Sequence, residues 1–348
     1  MKKNRNILLV IVVLAVVAGI LAITQSGRTF KREQSDFAVE DTSAVTRIFM
    51  SDKNNNMVIL SRLPSGEWMV DEKYPASRFN IRMMLGTIHD LEVKEPVSQA
   101  AHNSVIRELS VNSVKVEIYQ RVYRIDLFRS IRLFPHEKLT KVYYVGGATM
   151  NNRGSYMLIE GSPVPFVTWI PGFRGFVSPR YSPMVNTWRD YNIFRKEIPA
   201  IASVQVEIPG KVNESWLVVN RNATVSLFAY PEKKPIPLFD TLAVLNFLAG
   251  FRNLNFEAII SGMDPVRKDS ILSSTPSAII TLTDTAGGSA TIRTFLKEGA
   301  GATDLNGNPL PYDIDRLYVL VNDGRDFALA QYYTFDRILR PRSFFLKE

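Results

Sequence analysis

Only three residues of this 348-residue sequence are histidines, the side chains most often used for acid–base catalysis and metal binding. His89, His102 and His136 are well separated, and none forms an H-x-x-x-H or H-E-x-x-H pair. Such spacing would put two imidazoles on one helix face, as a zinc hydrolase requires. No G-x-S-x-G segment supplies a serine nucleophile, and the absence of cysteine excludes thiolate chemistry. We therefore expect no catalytic residue, no metal site, no cofactor and no enzyme activity, although a triad assembled from distant residues stays open.

Asp304, Asn306 and Asn308, followed by Asp313 and Asp315, have some features of a calcium-binding loop. The segment departs from that pattern at two places, because the glycine stands at position four instead of six and position twelve is aspartate. A turn built on Asn306-Gly307 explains the same residues at least as well. Both interpretations remain open, and we assign no metal ligand.

Aromatic residues and arginine meet in the irregular stretch that contains Trp169, Phe173, Arg174 and Phe176. Proline and glycine interrupt this stretch, so its rings need not all face a core. Exposed aromatic and arginine side chains are common anchors of protein interfaces. The sequence predicts either an interaction surface formed by these four residues or local packing. A second aromatic group, from Trp188 to Phe194, is expected to form a hydrophobic seam where two domains join.

The elements that must position these residues begin with an uncharged run at residues 7–24. As a helix it would be about 27 Å long, close to the roughly 30 Å apolar core of a bilayer. Lys2, Lys3 and Arg5 precede the run, which favours a cytoplasmic N-terminus. We expect a single-pass signal anchor in the inner membrane, with most of the chain in the periplasm. Cleavage of this segment as a signal peptide is the alternative, although no A-x-A site follows it.

The net charge of +8 is spread along the chain, and no recognisable nucleic-acid-binding module accompanies it. We therefore expect no nucleic-acid partner. Apolar residues make up 46% of the sequence, which is typical of globular domains. The residues that follow the anchor are too many for one hydrophobic core, so two domains are expected.

Two regions of the sequence show the same order of predicted elements: three strands, an amphipathic helix, a shorter helix and further strands. Apolar positions of the two amphipathic helices align at an offset of 163 residues, as Ile81 with Val244 and Ile88 with Phe251 show. We predict an α+β protein with two tandem, duplicated domains, each an antiparallel sheet with helices packed on one face. The expected boundaries are a cytoplasmic tail (1–6), the anchor (7–24), a linker (25–43), a first domain (44–198) and a second domain (199–348).

The segment Gly66-Glu67-Trp68-Met69-Val70 and the helix of residues 83–91, which follow a basic tail and a single anchor, carry a family resemblance. The chain resembles the Bacteroidetes-type membrane-anchored proteins that contain domain of unknown function 4340. Members of that family are often encoded beside gliding-type ABC transporter components. The resemblance implies an accessory role in the cell envelope and brings no catalytic residues.

These observations predict a non-enzymatic, membrane-anchored periplasmic protein that acts as an accessory or scaffold in an ABC-transporter, gliding or secretion assembly. The expected partners are the membrane, through residues 7–24, and an envelope protein complex. The alternative is a periplasmic ligand-binding or hydrolase module with its site between the two domains. The sequence does not identify the partner or any small-molecule ligand.

Overall fold

The computed structural model describes residues 13–14, 35–127, 131–221, 224–299, 301–304 and 306–347. These residues form two compact units that divide between Asp190 and Tyr191, slightly before the predicted boundary at 198–199. The predicted tail, the predicted anchor apart from Val13 and Leu14, and the first part of the predicted linker lie outside the described residues. No helix within the described part of the chain combines the length and the apolar character that a bilayer span requires.

The first unit is built on one antiparallel sheet of nine strands. In chain order the strands are β1 (Val45–Ser51), β2 (Met57–Arg62), β3 (Trp68–Val70), β4 (Tyr74–Pro75), β5 (Glu92–Pro96), β6 (Val114–Leu127), β7 (Ile131–Ala148), β8 (Ser155–Ile159) and β9 (Phe166–Trp169). Across the sheet the order is β4-β3-β2-β1-β6-β7-β8-β9-β5. Strand β5 therefore lies at the edge opposite β4, although it precedes β6 in the chain.

The second unit contains a nine-stranded antiparallel sheet with the corresponding strand order, β14-β13-β12-β11-β17-β18-β19-β20-β16. Its strands are β11 (Ile201–Glu207), β12 (Trp216–Arg221), β13 (Thr224–Ala229), β14 (Pro235–Ile236), β16 (Ala258–Ile259), β17 (Ala278–Asp284), β18 (Ser289–Glu298), β19 (Tyr312–Val321) and β20 (Asp326–Gln331). Two short strands, β10 (Asn192–Phe194) and β15 (Leu254–Asn255), pair separately. These two sheets confirm the expectation of two tandem domains, each built on an antiparallel sheet.

Few helices accompany these sheets in the described part of the chain, so both units are mostly β. The described helices are α1 (Arg78–Asp90), α2 (Gln99–Asn112), α3 (Val185–Trp188), α4 (Thr241–Ala249), α5 (Pro265–Ser273) and α6 (Tyr332–Phe335). The predicted caps of the two long amphipathic helices are present. The Ser77 side chain accepts the N–H of Asn80, and the Asp240 side chain accepts the N–H of Ala243. A side-chain acceptor at this position satisfies a donor that the helix leaves unpaired.

Helices lie on both faces of each sheet, so the prediction that they pack on one face was wrong. In the first unit, Met157 packs in the core that α1 covers, whereas its neighbours Tyr156 and Leu158 pack against the cluster formed with α2. Successive strand residues point to opposite faces, so the two helices cover opposite sides. The second unit repeats this arrangement, with α4 on the main core and α5 beside the smaller cluster around Phe295. Sequence periodicity marks the apolar side of a helix without showing which face of a sheet it covers.

The two units share details beyond the order of their strands. Strands β1 and β11 have the same burial pattern along seven residues, and Ile48 and Val204 occupy the same buried position. Each strand also has a register shift near its start, between Val45 and Arg47 in one and between Ile201 and Ser203 in the other. The irregularity stands at corresponding positions of the two sheets.

Strands β6 and β7 are longer than expected and extend beyond the sheet. The sequence pattern predicts separate strands at 113–119, 122–128 and 141–145. In the structure the first two belong to one strand, and the third begins at Ile131. Pairing of β6 with β1 ends at Gln120, and pairing of β7 with β8 is confined to residues 143–148. Residues 121–127 of β6 and 131–139 of β7 therefore pair only across this hairpin, with no third strand beside them. We call this two-stranded extension the ribbon.

Two glycines of the first unit should respond in opposite directions to the same substitution. A Cβ at Gly154 would lie 2.7 Å from the carbonyl oxygen of Thr168, whereas a Cβ at Gly86 in α1 meets nothing within 4 Å. We expect Gly154→Ala to lower the free energy of unfolding by about 1–3 kcal/mol through overpacking. Gly86→Ala should raise it by about 0.5–1 kcal/mol, because alanine loses less backbone entropy in a helix.

Chemical denaturation of the first unit in both variants checks this pair. A Gly154→Ala protein as stable as the Gly86→Ala protein would contradict the close approach of the Gly154 turn to β9.

Candidate functional site

A groove of about 600 Å³ on the first unit contains three of the four residues predicted to form an interaction surface. Trp169, Phe173 and Arg174 line it, and the structure adds residues that the sequence did not associate with them. The full lining is Lys94, Arg153, Trp169, Gly172, Phe173 and Arg174. We call this feature the basic aromatic groove. Phe176 is partly buried and is not among the residues that line it.

Lys94 reaches the basic aromatic groove because β5 contains a bulge. In the pairing of β5 with β9, Val93 lies opposite Thr168 and Glu95 lies opposite Val167, so Lys94 has no residue opposite it. Such an extra residue bends the strand and changes the direction of its side chain. The acidic neighbours of Lys94 on this strand, Glu92 and Glu95, are exposed but do not line the groove.

A tight turn after β9 presents Phe173 and Arg174. The N–H of Phe173 donates to the carbonyl oxygen of Ile170 at 3.0 Å, and Gly172 has φ of 78°. Proline at the second position and a left-handed glycine at the third are the features of a type II turn. The sequence Ile170-Pro171-Gly172-Phe173 therefore fixes the local backbone, and the side chains of Phe173 and Arg174 follow it into solvent.

Phe173 is 38% exposed and is nevertheless held in place on one side. The guanidinium of Arg180 lies 4.5 Å from the centre of its ring, a cation–π contact. Arg180 in turn donates to the hydroxyl of Thr87 at 2.9 Å, and Thr87 is buried in α1. The loop is thus fastened to the helix beneath it, so an exposed aromatic ring keeps one orientation. Such preorganisation lowers the entropy cost of binding.

The turn between β7 and β8 brings Arg153, the third cation of the groove, beside β9. The N–H of Arg153 donates to the Asn151 side chain at 3.0 Å, and the N–H of Thr149 donates to Gly154. Gly154 permits this turn to lie against β9, since any side chain there would meet the Thr168 carbonyl. The turn residues therefore position a cation that lies many residues away from the aromatic loop in sequence.

The second aromatic group was expected to form a seam between the domains, and the structure places its members in two different cores. Trp188 is buried in the main core of the first unit, where its Nε1–H donates to the carbonyl oxygen of Ser182 at 2.7 Å. Phe194 is buried in the main core of the second unit and packs edge-on against Phe251. Each ring therefore has a packing role within its own unit.

The three histidines lie on different elements of the first unit: His89 at the end of α1, His102 in α2 and His136 in the ribbon. His89 Nδ1 lies 2.7 Å from a carboxylate oxygen of Asp90 on the surface. Among the described residues, no two histidines are hydrogen-bonded to each other. The described residues also contain no group of three or more histidines and carboxylates with the geometry of a metal site.

The carboxylate of Asp304 is occupied by its own loop, as the turn interpretation of this segment predicts. Its Oδ1 accepts the N–H groups of Asn306 and Asn308, and its Oδ2 accepts the side-chain amide of Asn308. The hydrogen bonds from Asn308 hold the pKa of Asp304 below its ordinary value. Asp313 similarly binds Lys297 at 2.7 Å and accepts backbone N–H groups of the next residues.

The basic aromatic groove combines three cations with two aromatic faces and a glycine that leaves space between them. This combination suits an anionic group attached to an apolar or planar one, since the cations attract the charge and the rings cover the apolar part. The Trp-x-x-x-Phe-Arg pattern predicts the aromatic half of the groove. Lys94 and Arg153 carry no such signal, because only the sheet brings them to β9. No protein-family model, curated protein or solved structure matches this chain.

Proposed function

We propose that this chain is a non-enzymatic accessory or scaffold protein that binds an acidic segment of an envelope protein complex. The basic aromatic groove carries the proposal, because an exposed, preorganised phenylalanine beside tryptophan, arginine and lysine is typical of the anchors of protein interfaces. An acidic peptide that contains one apolar or aromatic residue would complement both halves of the groove. Exposed charge of one sign also steers a partner of the opposite sign and raises the rate of association.

The proposed location is the periplasmic face of the inner membrane, with residues 7–24 as a single-pass anchor. The uncharged run and the preceding cations support it. Tethering confines the groove to the layer of solution beside the membrane and raises its effective concentration for membrane-bound partners. The resemblance to the anchored proteins with domain of unknown function 4340 supports an ABC-transporter, gliding or secretion assembly as the partner class.

We also infer that the two domains arose by duplication. The common strand order, the matching register shifts in β1 and β11, and the aligned caps Ser77 and Asp240 support this inference. An alignment of relatives of the first half should match the second half with Ser77 on Asp240 and Ile48 on Val204. A best alignment in another register would contradict duplication.

Recovery of the partner from native membranes tests the proposed function. Tagged full-length protein is extracted in mild detergent, and bound proteins are identified by mass spectrometry. We expect the double substitution Lys94→Glu/Arg174→Glu to reduce recovery of a specific envelope protein by about tenfold or more, because two attractive contacts become repulsive. The matched control is Lys211→Glu/Lys234→Glu, which makes the same charge change at exposed lysines of the second unit.

Equal recovery by both double variants would remove the groove from the interface. Trp169→Ala supplies an uncharged test of the same site and should weaken recovery without altering net charge. Thermal unfolding of each variant must match the parent protein, so that lost binding is not lost folding.

A small anionic ligand is the second candidate occupant, favoured by the size of the groove. A cavity of about 600 Å³ falls within the range of small-molecule sites, about 300–1,000 Å³. If the full-length protein is recovered alone, the groove should be screened with anionic aromatic compounds by thermal shift. A stabilisation that Lys94→Glu/Arg174→Glu abolishes and Lys211→Glu/Lys234→Glu preserves would support this second candidate.

A further inference from the structure

The ribbon is a structural addition that the second unit lacks. The equivalent hairpin of the second unit, β17 and β18, has strands of seven and ten residues, against fourteen and eighteen for β6 and β7. The extra length pairs with no third strand and adds nothing to the main core. A two-stranded extension of this kind is marginal in water on its own, so it calls for a role outside the packing of the sheet.

The ribbon has both exposed apolar and exposed cationic side chains. Ile125 and Leu133 lie directly opposite each other, which puts them on one face, and both are exposed. Phe134, beside them, is 64% exposed. Residues 121–127 and 131–139 contain four arginines and lysines against two acidic residues, a net charge of +2. The ribbon therefore combines net positive charge with exposed apolar groups.

The cations of the ribbon are exposed. Arg121, Arg124 and Lys138 make no ion pair with any described residue. The acid Glu137 is already engaged, because it accepts hydrogen bonds from Arg47 at 2.8 Å and Thr46 at 2.7 Å. The net charge that the ribbon presents is consequently positive.

The ribbon also projects from the end of the first unit where residues 36–44 lead into β1. The Lys141 ammonium, on β7, lies 2.8 Å from the Asp36 carboxylate, and the Gln120 side chain donates to the carbonyl oxygen of Asp41. Asp41, Ser43 and Ala44 share a groove with Arg121, Tyr123 and other ribbon residues. The segment that leads into β1 and the base of the ribbon are therefore in contact.

We propose that the ribbon docks on the surface of an anionic bilayer. The inference rests on the proposed anchor, since only ten residues separate residue 24 from Ser35. A chain of that length spans at most about 35 Å, so the base of the ribbon stays near the membrane. Basic residues are drawn to anionic headgroups, and apolar side chains beside them enter the headgroup layer. The charge and the position together favour lipid over an acidic protein as the occupant.

A fluorescent reporter tests this proposal in the full-length chain, which contains no cysteine to interfere with labelling. An environment-sensitive dye is attached at Leu133→Cys in the ribbon or at Met150→Cys, an exposed site just beyond the other end of β7. Each protein is reconstituted into phosphatidylcholine vesicles with or without phosphatidylglycerol. We expect the dye at position 133 to shift to shorter wavelength and lose several-fold in quenching by iodide only when phosphatidylglycerol is present. The dye at position 150 should remain fully quenched.

Charge variants and salt separate attraction by lipid from simple proximity. Arg124→Glu/Lys138→Glu should abolish the protection at position 133, whereas the control Lys53→Glu/Arg82→Glu, at exposed residues elsewhere in the unit, should preserve it. High salt should reverse the protection, since surface charges are then screened.

Three results would overturn the proposal. Equal quenching at positions 133 and 150 in anionic vesicles would show that the ribbon stays in water. Protection seen only in native membranes would assign the ribbon to an acidic protein. Release of the chain from vesicles by alkaline carbonate would contradict the proposed anchor. The inference that the base of the ribbon stays near the membrane would then fail as well. Retention of the chain without protection at position 133 would instead overturn the ribbon proposal alone.

Discussion

Phe345→Ala is expected to lower the free energy of unfolding of the second unit by about 3–5 kcal/mol, the usual cost of truncating a fully buried phenylalanine. Phe345 has no exposed surface, and its ring lies 4.6 Å from Trp216 and 5.8 Å from Phe247, measured between centroids. Trp216 also donates to the carbonyl oxygen of Arg340 at 2.9 Å. The substitution would therefore open a cavity and loosen the C-terminal segment at once.

The neighbouring residue provides a matched control for this prediction. Phe344 is 51% exposed and contacts Arg340 and the edge of Phe345. We expect Phe344→Ala to cost no more than about 1 kcal/mol, since most of the lost surface is already in water. Denaturant unfolding, followed by Trp216 fluorescence, measures both. Similar losses in the two variants would contradict the packing of the C-terminal segment against α4.

Replacing both buried tyrosines of the first unit by phenylalanine should protect that unit against alkaline unfolding. Tyr143 donates its hydroxyl to Tyr181 at 3.3 Å, and both side chains are buried in the core. Burial raises the pKa of Tyr143 and of Tyr181 well above the ordinary value. In the unfolded chain both lose their protons near pH 10, about the ordinary tyrosine value. Above that pH the unfolded state binds fewer protons than the folded one.

The sign of the effect follows from that difference in proton binding. The free energy of unfolding keeps its full value below about pH 10. Above that pH it falls by about 1.4 kcal/mol per pH unit for each tyrosine, so the loss for both tyrosines reaches about 5 kcal/mol at pH 12. Tyr143→Phe/Tyr181→Phe should escape this loss, and removing both partners of the hydrogen bond should change stability little at neutral pH.

Amide hydrogen exchange, resolved by unit and measured from pH 9 upward after correction for the intrinsic rate, checks this pH dependence. Tyr123→Phe, which removes a hydroxyl from a partly exposed ring in the same unit, should retain the alkaline loss. Parallel stability curves for the parent and the double variant between about pH 10 and 12 would refute the assignment of the alkaline loss to this pair.

The parts of the fold that could be predicted are those with a strong local signal. Strand β1 alternates apolar and polar residues, and α1 has a capping serine before a periodic apolar face, so both were predicted nearly to the residue. The short strands β4, β5, β14 and β16 have too few residues to show a period. They exist because a neighbouring strand offers unpaired backbone groups, which is a tertiary cause.

The first half of β7 was missed for a related reason. Pro135 and the polar run His136-Glu137-Lys138 break the pattern of a strand, yet these residues pair with β6 from Gln120 to Tyr123. Proline is tolerated because the ribbon has free edges, where a missing N–H leaves no partner unpaired. The candidate site shows the same division. Its aromatic loop is local in sequence, whereas Lys94 arrives through a bulge that depends on pairing with β9.

The outermost strands of both sheets have a consequence for self-association. Each of the four edges is short or interrupted: β4 and β14 contain proline, β16 has only two residues, and β5 carries a bulge, a lysine and a terminal proline. Such edges cannot accept a further strand over any useful length, and proline and lysine oppose aggregation between sheets. Copies of the chain would therefore resist polymerising into fibres through these four edges. At these edges, partners must be selected by side chains instead of by extension of the sheet.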